Sequence, residues 1–80
     1  MKPGVHYFGV GPGPGTLTNL IKVVVAESGA VDCYALNGKN AWEYNTRVMT
    51  YLLDGEAELL TASEAEKAFT TICRTKKWVP

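Results

Sequence analysis

The chain carries no excess of either charge: eight Lys and Arg stand against eight Asp and Glu in its 80 residues. A whole-chain electrostatic drive toward nucleic acid is therefore missing, as is the large acidic excess of a DNA mimic. Histidine is nearly absent, with His6 alone. Cysteine is scarce too: Cys33 and Cys73 can close at most one disulfide, and neither a CxxC nor a Cys/His spacing suggests zinc. No apolar run approaches the roughly 20 residues that span a bilayer. Met1-Lys2-Pro3-Gly4 leads into no signal-peptide core. Together these shortages point to a cytoplasmic protein with reduced thiols. The length suits one domain, residues 1–80, with a thin core.

What is present reads as alternating strands and helices. Val5-His6-Tyr7-Phe8-Gly9-Val10 is short, β-branched and aromatic, and predicts a strand. Leu17, Leu20, Ile21, Val24 and Val25 recur at helical spacing, with Thr16 as N-cap and Gly29 as terminator. Against a helix stand the β-branched Ile21 and Val23-Val24-Val25, which favour a hairpin turning at Ser28-Gly29. Periodicity and the two termini tip the reading to a helix, so the first two strands should be parallel. Val31–Leu36 predicts the second strand, and Asn37-Gly38 a turn. Asn40 then caps a helix with Glu43 as capping partner, and Ala41, Tyr44, Val48 and Leu52 form its stripe up to Gly55. Residues 57–60 suit a short third strand or an extended link. A last helix begins at Thr61 or Ser63 and buries Ala65, Ala68, Phe69, Ile72 and Cys73. The expected fold is α/β or α+β, in the order β-α-β-α-(β)-α, with two or three strands packed against helices.

Gly9-Val10-Gly11-Pro12-Gly13-Pro14-Gly15 is the conspicuous motif. Between a strand and a helix, a glycine loop can hold a phosphate. Pro12 and Pro14, however, each lack a donor, and no GK[ST] ending follows. Tyr7-Phe8-Gly9-Val10-Gly11-Pro12-Gly13, then Leu17, then Ala30-Val31-Asp32-Cys33-Tyr34, resembles the N-terminal segment of tetrapyrrole methylases. That resemblance covers residues 5–35 and implies S-adenosylmethionine contact by the loop. It departs from the family at Pro14-Gly15, where Asp-Pro is usual, and the family's second domain has no counterpart here.

No catalytic constellation is legible. His6 could approach Cys33 if their strands were neighbours, but no third orienting group accompanies them. The surface candidates are Arg47 and Tyr51, neighbours on one predicted helix, and the basic-aromatic cluster Arg74, Lys76, Lys77 and Trp78. Glu64 and Glu66 at the start of the last helix, and the bases near its end, also complement its dipole. In size, mixed charge and lack of active-site residues the chain is similar to small phage-encoded anti-CRISPR proteins. That resemblance carries over no functional residue. It implies a protein partner, a Cas effector subunit, inhibited by blocking its access to nucleic acid. The expectation is a non-enzymatic inhibitor with no cofactor and no membrane, and with nucleic acid disfavoured as direct ligand. The alternatives are a small S-adenosylmethionine or nucleotide module using Gly9–Gly15, and a small nucleic-acid-binding regulator.

Overall fold

A computed structural model describes residues 1–12 and 16–80. Five strands form one sheet: β1 (Gly4–Val10), β2 (Asn19–Val25), β3 (Val31–Leu36), β4 (Trp42–Tyr44) and β5 (Glu58–Leu60). Their spatial order is β4-β3-β2-β1-β5, and every pairing is antiparallel. Among the described residues two helices accompany the sheet: α1 (Met49–Leu53), preceded by a 3-10 turn at Thr46–Val48, and α2 (Ala62–Ile72).

This architecture corrects the α/β expectation. Among the described residues no crossover helix joins β1 to β2. The stretch read as the first helix is β2, the central strand, antiparallel to both neighbours. Its apolar residues fill both sheet faces: Leu20 packs on one, and Ile21, Val23 and Val25 on the other. A strand covered on both sides reads as a nearly continuous apolar run, and such a run mimics helical spacing by chance. The stiff χ1 of the β-branched residues then favours the extended state. Ser28-Gly29 sits in the hairpin turn, with Gly29 at φ +92° and its amide donating to the Ala26 carbonyl.

The predicted helix from Asn40 to Gly55 is also largely corrected. Asn37 Oδ1 accepts from the amides of Lys39 and Ala41, which closes a turn and returns the chain as β4. Asn40 takes φ +58° in that turn instead of capping a helix. Asn45 is the true cap: its side chain accepts from the Arg47 amide and starts the 3-10 turn. Only Met49–Leu53 is α-helical there. The final helix matches its prediction. Thr61 Oγ1 accepts from the Glu64 amide, and Glu64 Oε1 accepts from the Thr61 amide, which makes a complete capping box.

The helices lie on opposite sheet faces. Under α2, Tyr7, Leu20, Leu36, Leu60, Ala65, Phe69 and Cys73 form one core. On the other face Ile21, Val23, Val25, Cys33, Ala35 and Val48 form the second, with Met49 and Leu52 packed against it.

A basic, aromatic sheet edge

The register aligns one row of side chains across the whole sheet: Tyr44 opposite Tyr34, Tyr34 opposite Lys22, Lys22 opposite Tyr7, Tyr7 opposite Leu60. Side chains in such a row share a face, because strand side chains alternate. α2 begins beside β5, and the chain after it doubles back over the β4 side. There Trp78 packs on Phe69 and Tyr7, with ring centroids 5.3 and 5.4 Å away. It also meets Trp42 edge-on at 6.5 Å.

Three polar contacts pin this tail. Trp42 Nε1 donates to the Val79 carbonyl at 2.7 Å, Lys22 Nζ donates to the Pro80 carbonyl at 3.1 Å, and Lys76 Nζ donates to the Lys39 carbonyl. Lys22 Nζ also lies 4.9 Å from the Trp42 ring centre and 5.2 Å from that of Tyr34. An ammonium over these electron-rich faces is attracted to them. Burial pulls the Lys22 pKa below the usual lysine value. The same effect pushes the Tyr7 phenol up.

Charge is spread unevenly across the sheet. Lys22, Lys39 and Lys76 meet on the β4 side through the turn and tail contacts just described, and Arg74 and Lys77 are exposed on the same tail. At the far edge, Asp54 and Glu56 precede β5, Glu58 lies on it, and Glu64 and Glu66 open α2, all exposed. Glu43 on β4 and Asp32 on β3 are exposed as well, so the neutral total conceals one acidic edge, at β5, and a β4 side of mixed charge.

The structure brings together only part of the sequence-derived set. Arg74, Lys76 and Lys77 are exposed on the tail, and Trp78 is half-buried as the tail's anchor. Tyr51 lies on α1, across the sheet from them, and Arg47 is exposed in the preceding 3-10 turn. Tyr51 borders a small cleft with Val10, Thr18, Ile21 and Val48. Sequence reasoning missed Lys22, Tyr34, Lys39, Trp42 and Tyr44. Reading the two central segments as adjacent antiparallel strands would have placed Lys22 and Tyr34 on one face.

The other candidates separate. His6 and Cys33 flank Val23 in register, so β2 stands between them and they are about 10 Å apart. His6 Nε2 is bonded to the Lys2 carbonyl at 2.6 Å. Both cysteines are free and buried, on opposite faces. Burial, reinforced by the charge of Asp32, raises the Cys33 pKa. Burial raises Cys73 as well, while Lys76 pulls the other way. Burial thus disfavours the nucleophilic thiolate at both positions. Among the described residues no group of three or more His, Cys, Asp and Glu could hold a metal ion.

The glycine motif leads into a strand, so no helix N-terminus stands behind it. Gly13, Pro14 and Gly15 lie outside the described residues. At Gly11, a Cβ would fall 1.7 Å from the Thr16 carbonyl oxygen, and at Gly9 it would strike the Leu17 side chain at 2.6 Å. Close backbone approach thus accounts for Gly11, whereas at Gly9 a side chain would have to displace that of Leu17. The adjoining cleft, about 380 Å³, is bordered by Gly9, Gly11, Leu17, Glu56 and Glu58. Its two carboxylates would repel a phosphate.

No family model, no curated protein and no solved structure matches this chain. Among the described residues no helix is long and apolar enough to cross a membrane.

Proposed function

We propose that the protein is a non-enzymatic binding protein that inhibits a larger complex by protein-protein contact. Its contact face is the β4 side of the sheet, with the tail laid across it. The observation that carries this reading is the meeting there of Lys22 with Tyr34 and Trp42, of Tyr34 with Tyr44, and of Lys76 with the Lys39 turn. Tyr44 is 57% exposed although it lies on a strand, where a large ring in contact with water favours a partner. Lysines whose stems cover apolar surface, with rings beside them, form an interface with a fixed centre and a charged rim.

The resemblance to anti-CRISPR proteins supplies the partner, a Cas effector subunit in the cytoplasm of an infected cell. Bound there, an 80-residue protein acts as a plug that denies the effector its nucleic acid. The test is capture of purified RNA-guided surveillance complexes by the immobilised protein at micromolar concentration, followed by target-DNA binding. Capture with loss of target binding, weakened by a combined Lys76→Glu and Lys77→Glu change, is the expected result. Failure to retain any such complex overturns the reading.

A further inference from the structure

The open edge of β4 is a place where a second strand can attach. In an antiparallel ladder, hydrogen-bonded and non-bonded residue pairs alternate. The Asn37 amide donates to the Ala41 carbonyl at 2.9 Å, and the Asn45 amide to the Cys33 carbonyl at 2.8 Å. Glu43, midway between Ala41 and Asn45, therefore turns its backbone groups toward β3, where it faces Ala35. Trp42 and Tyr44 turn theirs outward, and β4 is the last strand of the sheet on that side. The edge thus offers two amides and two carbonyls in extended geometry.

Its surroundings select the partner's charge. Lys39 lies in the turn before β4, Arg47 in the turn after it, and Lys76 is fastened to the Lys39 carbonyl. Glu43 is the strand's one acid, and its side chain lies on the opposite face from Trp42 and Tyr44. The other edge strand, β5, stands among carboxylates and has no such selectivity for an anion.

We infer that β4 takes an extended acidic peptide segment of the partner protein as a sixth strand, with carboxylates against Lys39, Arg47 and Lys76. This rests on the reading of the β4 side as the contact face and names what it contacts. A single nucleic-acid strand fits less well. The Lys22 ammonium lies over one face each of Trp42 and Tyr34, and Trp42 and Trp78 meet edge-on. Tyr44 is the one exposed ring of the four, whereas such strands use successive rings.

The test titrates the protein with a synthetic peptide alternating glutamate and valine, read by tryptophan fluorescence, since Trp42 borders the edge. A lysine-valine peptide and oligothymidylate are the comparison ligands. Binding of the glutamate peptide alone is expected, weakened about tenfold in a Lys39→Glu, Arg47→Glu variant. Tyr44→Pro removes the outward amide at a position where an edge strand tolerates proline. Tyr44→Ala removes only the ring. Binding should be lost in the proline variant and only weakened in the alanine variant, which gives up the ring's contact but keeps the amide, with far-ultraviolet circular dichroism showing both folded. Equal binding of the lysine peptide, preference for oligothymidylate, or equal affinity of the two Tyr44 variants overturns the inference. Should Tyr44→Pro misfold, the charge-reversal variant decides alone. An effector captured equally well by Tyr44→Pro and Tyr44→Ala would uphold the proposed function and remove this inference. Peptide binding without effector capture would do the reverse.

Discussion

The two faces of the sheet are sealed in different ways. On one, an 11-residue helix with a complete capping box drives Phe69 into a core that also draws on Tyr7, Trp42 and Trp78. On the other, the five-residue α1 buries no residue fully, and Val48 before it is the one fully buried residue of that layer outside the sheet. The second core is made mainly by the sheet itself, through Ile21, Val23, Val25, Cys33 and Ala35. A face rich in β-branched side chains needs only a light cover, because those side chains fill the space against one another. A face built from aromatics of distant segments depends on the helix and tail that hold them together. Leu53 on the lightly covered side remains 81% exposed, and Leu59, at the β5 edge, 67%.

If that contrast is right, truncation beneath α2 should be the most damaging. Phe69→Ala is expected to cost about 3–5 kcal/mol, enough to leave so small a domain largely unfolded at room temperature, as read by urea denaturation. Val48→Ala is the matching change on the other face. It removes two methyl groups, and should cost about 1.6 kcal/mol while leaving a cooperative transition. Comparable losses from the two would erase the distinction.

A smaller effect concerns the start of α2. Thr61→Ala should cost about 1 kcal/mol in the same measurement. It also bears on acid stability. The Thr61 backbone and side-chain hydrogen bonds hold the Glu64 carboxyl below its ordinary pKa. A carboxylate depressed in the folded state adds stability above its unfolded pKa, and this is lost as pH falls through the folded value. Glu64→Gln should flatten that acid limb, measured as melting temperature against pH, and no change in slope would refute the linkage.

The smallest effect should come from Lys22. Burial disfavours its charged form, so the unfolded chain holds the proton more tightly. Stability then rises with pH between the lowered folded pKa and the usual lysine value. Lys22→Met keeps the stem and removes the charge, so this alkaline rise should disappear while the melting temperature at neutral pH moves little. A large loss at neutral pH would show that the ammonium's contacts with Pro80, Tyr34 and Trp42 are needed to hold the tail.

Local physics was readable where the signal was local. The Thr61 cap with Glu64 three residues on, the turn at Asn37-Gly38 and the strand at Val31–Leu36 all depend on neighbours in the chain, and all three are found. The reading failed at Leu20–Val25, where two buried faces produced a pattern that also fits a helix. It failed again at Trp42–Tyr44, where cross-strand partners outweighed a helical stripe. Of the site, the sequence exposed the basic run Arg74, Lys76 and Lys77, but not its company. Lys22, Lys39 and Tyr44 reach it only through strand register and a folded-back tail.

Composition and short-range pattern by themselves determined a neutral chain with strand-forming runs, its final helix and several of its turns, because these follow from side-chain stiffness, caps and glycine. Tertiary structure alone decided that Trp78 would anchor the tail against Tyr7 and that Lys76 would meet the Lys39 turn. Those outcomes depend on pairing between residues far apart in the chain, and no local preference encodes which strand lies beside which.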